Sequence, residues 1–193
     1  QITVEEKLYC DELSHGNKKV MYYPVVFSRL SGHEFYVVKI NGSQIMPRNF
    51  DGYASGDGDS DINDGYIILP HRGENINDYI LDVNSEEIPS DWYTTNKKGV
   101  RKLKKTYESR IPQKVYVTQS STYSPTEPLD SMGFMEAIFV PSPLMYDPTA
   151  RVVYKGKQSE YSKLSRIGGE GRSTATTVLS YEDIILMQKM GIA

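Results

Sequence analysis

Residues 33–46 read His-Glu-Phe-Tyr-Val-Val-Lys-Ile-Asn-Gly-Ser-Gln-Ile-Met. His33–Ile40 is dense in β-branched and aromatic side chains, which suit a pleated, half-buried surface. Asn41-Gly42 follows at once, a dipeptide that reverses the chain between two strands. The stretch is therefore expected to form a β-hairpin that returns through Ser43–Met46. A lone hairpin is marginal in water and needs further strands beside it. Candidates recur along the chain at Lys19–Leu30, Tyr66–Leu69, Tyr79–Val83, Lys114–Gln119, Glu136–Val140 and Arg151–Tyr154. Pro24 lacks an N–H donor and marks an edge or a break in the first of them. These candidates are short, turn residues separate them, and they do not alternate with helices. That pattern disfavours a doubly wound parallel sheet. The expected fold is α+β, mainly β: an antiparallel sandwich or barrel-like core with long loops and short N- and C-terminal helices.

The helices are read from their caps. Thr3-Val4-Glu5-Glu6 fits a capping box, Val4, Leu8 and Leu13 share a face, and Gly16 fits a stop, so a helix is expected over about 4–14. Ser180-Tyr181-Glu182-Asp183 starts a second helix, which runs through Ile184, Ile185, Leu186, Met187 and Met190 to Gly191. An isolated helix this short is marginal, so it must dock on its own domain or on a neighbouring subunit. Ile184, Ile185, Met187 and Met190 are the candidate contact residues. Three polar connections, 47–65, 119–133 and 156–178, are long enough to imply a use of their own. The domain reading is a β-rich core over 1–155 and an extended arm with its helix over 156–193.

Composition excludes several classes. The 193 residues carry a net charge of −3, so the chain is neither a generally basic nucleic-acid binder nor a highly charged disordered one. One Cys permits no internal disulfide. No apolar run approaches the ~20 residues of a membrane span. Gln1 in place of Met implies a removed leader or a piece of a longer protein. Tyr is in excess, with 15 against 5 Phe and 1 Trp. With an apolar ring and a polar tip, it suits half-buried positions and wet interfaces, and the excess is expected to serve contact surface more than core.

The small net charge hides uneven placement. Residues 97–110 hold seven basic side chains and one acidic, a local +6, so the rest of the chain carries −9. Such a run reads as a solvated helix face or hairpin, or as a patch for an acidic partner, with Lys102, Lys104 and Lys105 as its contacts. Nucleic acid is the less favoured partner, because Tyr107 alone makes a poor stacking platform. Residues 51–65 carry Asp51, Asp57, Asp59, Asp61 and Asp64 among glycines. Alternating oxygen ligands at Asp57, Asp59, Asp61 and Asn63 could wrap a calcium ion. The run resembles an EF-type calcium loop. It departs from the pattern where Asp64 holds the Gly position and Pro70 the closing Glu position. Calcium is the one cofactor expected, as the alternative to a solvated acidic turn.

Gly32–Val38 resembles the His-bearing strand of papain-type cysteine hydrolases. That resemblance implies Cys10 as nucleophile and His33 as its base. Against it, Cys10 falls inside the expected first helix, only 23 residues upstream. The bland readings are a small buried thiol and an ordinary strand histidine. His15, His33 and His71 are far apart in sequence and show no zinc spacing. Arg166–Thr174 is Gly-rich but lacks the Lys of a phosphate-binding loop.

Three functions follow. The first is a structural subunit of a large assembly, such as a virion or phage capsid, neck or tail, working through contacts with other protein subunits and performing no catalysis. The second is a secreted or surface binding module for carbohydrate or protein, stiffened by calcium, with Trp92 stacking on sugar. The third is a cysteine hydrolase. The first is the expectation, with a virion or extracellular location.

Overall fold

The computed structural model describes residues 9–15, 18–50, 62–82, 88–97, 99–154 and 158–166. The backbone is mostly strand, and the sheets are antiparallel. In chain order the strands are β1 (Tyr9–His15), β2 (Lys18–Met21), β3 (Val25–Ser28), β4 (Glu34–Asn41), β5 (Gln44–Pro47), β6 (Ile62–Ile68), β7 (Tyr93–Thr95) and β8 (Arg101–Leu103). A one-turn helix α1 (Lys105–Glu108) precedes β9 (Gln113–Thr118), β10 (Tyr123–Ser124), β11 (Phe134–Pro141), β12 (Tyr146–Asp147), β13 (Val152–Val153) and β14 (Leu164–Arg166). Lys7–Ser165 is one compact unit; a second, Gln1–Glu6 with Arg166–Ala193, lies outside the described residues apart from Arg166. Among the described residues no helix is long and apolar enough to cross a membrane.

The core is built around β4. On one side it pairs with β6, in the register Tyr36↔Ile67 to Asn41↔Ile62. On the other its first half pairs with β3 and its second half with β5. β6 continues to β11, β11 to β9, and β9 to β10. The ends of this path then meet. Gln44 of β5 bridges Thr122 beside β10, Ile45 N–H donates to Ser121 O at 2.8 Å, and Tyr123 N–H donates to Ser43 O at 2.8 Å. The result is a six-stranded ring, β5-β4-β6-β11-β9-β10, with β3 and β14 branching from β4. Closure removes the open edges that would otherwise recruit other strands. The barrel-like alternative is thus the form the antiparallel core takes.

Period-two alternation sorts side chains to the two faces of this sheet. Val38, Ile40, Ile45, Ile67, Val115, Val117, Ala137 and Phe139 fill the ring interior. Their neighbours Phe35, Val37, Tyr66, Ile68, Ile138 and Val140 point outward and are covered by Ile76, Tyr79, Leu144 and Leu164. Both faces of the central strands are therefore buried, which is why β4, β6 and β11 carry near-continuous apolar runs.

One polar cluster pins the outer layer. Glu160, in the 3-10 turn Glu160–Ser162, is 2% exposed. Its carboxylate accepts from the Tyr66 hydroxyl, from Leu144 N–H at 2.9 Å and from Lys163 Nζ at 3.2 Å. Lys163 Nζ also donates to Leu144 O at 2.6 Å. Every charge here is paired, the condition under which burial of ions is tolerated.

Several expectations need correction. Residues 9–15, placed in a helix over about 4–14, form β1 instead, with Tyr9 opposite Met21 and Cys10 opposite Val20. The short isolated helix loses to a strand partner two residues away across Gly16-Asn17, a pair suited to a tight turn. Tyr79–Val83 is not a strand over its described residues. Ile76–Tyr79 is a 3-10 turn capped by Asn75, whose side chain accepts from Asn77 N–H at 3.0 Å. The hairpin after β4 turns one residue later than expected. Asn41 still pairs with Gln44, and Gly42-Ser43 make the loop, with φ of 56° at Gly42. Positive φ at the first loop residue alone is the type II′ pattern. The C-terminal helix and residues 1–8 lie outside the described residues.

The tyrosines are also used differently. Of the twelve whose side chains are described, only Tyr161 is exposed, three are buried and eight lie between. Tyr23, Tyr36 and Tyr123 pack against the ring interior, and the Tyr23 hydroxyl donates to Ser121 Oγ at 2.6 Å. Tyr here stops the margins of the core rather than forming a free contact surface.

Candidate functional site

The basic run folds into a small unit of its own. β7 and β8 pair in the register Tyr93↔Leu103 to Thr95↔Arg101, and α1 follows. Its apolar side is anchored by Trp92, 3% exposed and stacked on Tyr107 with ring centroids 4.5 Å apart. Leu103, Tyr107 and Ile111 join Trp92, Leu81, Ile88 and Tyr146 in a third apolar cluster.

The same stretch carries five described cations, with Arg101 on the face of β8 that also bears Leu103 and Lys102 on the opposite one. Lys97, Arg101, Lys102 and Lys105 are exposed, and Lys104 is half-buried. Arg101 lies 3.7 Å from the centroid of the Tyr93 ring, a cation–π contact, and Lys104 Nζ donates to Asp91 O at 2.5 Å. Among the described residues none of these five cations has a carboxylate partner. Some cations elsewhere are paired, as in Lys114–Glu136 at 2.5 Å and Lys163–Glu160 at 3.2 Å. Trp92 is inside the core and Arg101 covers Tyr93, so the unit offers no open aromatic platform for a nucleic-acid base. Lys102, Lys104 and Lys105 are thus brought together on β8, α1 and the residue between them.

A second constellation escapes sequence reasoning. His33 and His71 stand 38 residues apart, yet their rings stack with centroids 4.0 Å apart and planes 16° from parallel. The β4–β6 register, carried three residues past Tyr36↔Ile67, brings residue 33 alongside 70 and 71. His33 is buried, and its Nε2–H donates to Leu69 O at 3.0 Å. His71 is exposed, with Nε2 2.6 Å from Glu34 Oε2 and Nδ1 3.9 Å from Glu74 Oε2. Glu74 Oε2 also accepts from His71 N–H at 2.7 Å and from the Tyr79 hydroxyl at 2.5 Å.

The charges follow from these contacts. The Glu34 hydrogen bond, with the nearby carboxylate charges, holds the His71 imidazole above the ordinary histidine range against a smaller desolvation. Burial pushes the Glu34 carboxyl up, but its bonds and the His71 charge outweigh that and leave it below the usual range. The Tyr79 hydroxyl and the His71 amide lower Glu74. Burial, then the Glu74 bond, raises Tyr79.

Donor atoms of His33, Glu34 and His71 lie within 4.8 Å of one another, the one His/Cys/Asp/Glu group of ligating size among the described residues. An imidazole binds a metal along a lone pair in its own ring plane. Two stacked, nearly parallel rings have no such point in common, so these histidines do not share an ion as they stand.

Other sequence candidates are placed as follows. Asn63 is exposed on β6 opposite Ile40; Asp57, Asp59 and Asp61 lie outside the described residues. Ile184, Ile185, Met187 and Met190 also lie outside them, as does the Gly-rich stretch after Arg166. Cys10 is in β1, while His33 is engaged by Leu69 and His71. No known protein family, curated protein or solved structure matches the chain.

Proposed function

We propose that this chain is a structural subunit that assembles with copies of itself, and that the β7–β8 hairpin with α1 is the part that docks. The observation that carries this reading is the set of five neighbouring cations, four of them exposed, with no carboxylate partner among the described residues. The occupant follows from charge. The run carries +6 and the remainder −9, so a second copy supplies acidic surface for the first copy's basic unit. Such a contact joins unlike patches, a pairing compatible with a reciprocal two-fold dimer as well as with rings or open arrays. Leu129 and Met132, at 111% and 88% exposure, add large apolar side chains free for subunit contact.

Light scattering on the full chain tests this. The wild type is expected to exceed the monomer mass at low salt, and Lys102→Glu/Lys105→Glu to be monomeric under the same conditions. A wild-type monomer at every concentration would sink the reading. Unchanged assembly in the charge-reversed variant would remove the basic unit from it.

A further inference from the structure

The histidine–carboxylate cluster lies outside the basic unit, and its geometry asks for a proton. We propose that His33, Glu34, His71 and Glu74 form a proton-operated clasp that holds the segment 69–80 against the start of β4, closed when the His71 ring is doubly protonated and loosened when it is not.

Glu34 Oε2 faces His71 Nε2 at 2.6 Å, and Glu74 Oε2 lies 3.9 Å from Nδ1 on the other side of the ring. A neutral imidazole has a single N–H and serves only one of these carboxylates; the other then meets a lone pair. The imidazolium has two N–H groups: Nε2–H bonds Glu34 at 2.6 Å, while Nδ1–H and the ring charge face Glu74 at 3.9 Å, an ion pair rather than a hydrogen bond. It also joins two parts of the chain, since Glu34 belongs to β4 and Glu74 leads into the 3-10 turn at Ile76–Tyr79. Two supports hold the ring in place: it stacks on buried His33, whose Nε2–H is tied to Leu69 O, and Glu74 is fixed by the Tyr79 hydroxyl. The titratable and charged groups around His71 are His33, Glu34 and then Tyr36 from β4, Arg72 and Glu74 from its own loop, and Asp78 and Tyr79 from the turn.

The sign is fixed by linkage. His71 binds its proton more tightly in the folded chain, so its contribution is complete below the unfolded histidine value and lost as pH rises through the raised folded one. Glu34 and Glu74, both lowered, contribute above the unfolded carboxylate value and lose that contribution in acid. The clasp is therefore tightest in the mildly acidic window between them.

Hydrogen exchange of the whole protein at about pH 6 and about pH 8.5, corrected for the intrinsic rate, tests the clasp. The amides to follow are Glu74, Asp78 and Ile80, which bond to His71 O, Asn75 O and Asn77 O. Their protection is expected to fall about two- to fivefold at the higher pH, the size of a surface ion pair. His71→Lys, which keeps a cation at both values, and Glu34→Gln, which removes one of the two carboxylate charges, are each expected to flatten that change. Equal wild-type protection at both values, or the same fall in His71→Lys, overturns the proposal. Should His71→Lys misfold, the comparison of wild type with Glu34→Gln decides alone.

Discussion

Gly65 shows how closely single residues are fitted. It stands on β6 between Val38 and Pro141, and a Cβ there would meet Val140 O at 2.5 Å and the Phe139 ring at 2.6 Å. The Phe139 ring fills the space a side chain would need, and backbone cannot withdraw. Gly65→Ala is expected to cost about 1–3 kcal/mol, read as a lower melting temperature at unchanged secondary structure. Glu160 and Lys163 are a second case. Lys163→Met leaves a buried carboxylate without its cation and is expected to cost about 3–5 kcal/mol in urea denaturation. Adding Glu160→Leu removes the stranded charge, so the double variant is expected to lose less than the sum of the singles. Neither site was legible in the sequence. Gly65 ends an acidic, Gly-rich stretch that reads as loop, and an i,i+3 Glu–Lys pair looks like solvated surface until a sheet covers it.

At the scale of elements, strands with strong local signals were legible and elements made by their partners were not. β4, β9 and β11 announce themselves because β-branched and aromatic residues crowd both of their faces. β10 is only two residues long, and it exists because β9 and β5 flank it. β1 was hidden by a plausible helix cap, since local capping cannot foresee a strand two residues away. The β4–β5 hairpin was legible in position but not in register, because Asn41-Gly42 and Gly42-Ser43 turns read alike. This hairpin closes the ring, and Gly42 has open space around it, so backbone strain alone governs substitution there. Gly42→Ala is expected to cost about 1–2 kcal/mol, a fall measurable by thermal denaturation. A melting temperature equal to the wild type would show that the turn does not need its positive φ.

For the whole molecule, charge placement was legible and histidine placement was not. The +6 run stands out in one continuous stretch, and folding keeps it together on one hairpin and one turn of helix. His33 and His71 meet only through a β4–β6 pairing of large sequence separation, which no short spacing encodes. In the proposed assembly the cations of the basic unit join one copy to the acidic surface of another. An ionic contact between exposed groups is screened over about 10 Å at 0.1 M salt. Sedimentation velocity of the full chain across a salt series is the most direct measurement. A contact held by charge gives an association constant that falls steeply as salt rises, and a monomer above about 0.5 M, where screening is nearly complete. Association that is independent of salt, or absent at low salt, would contradict it.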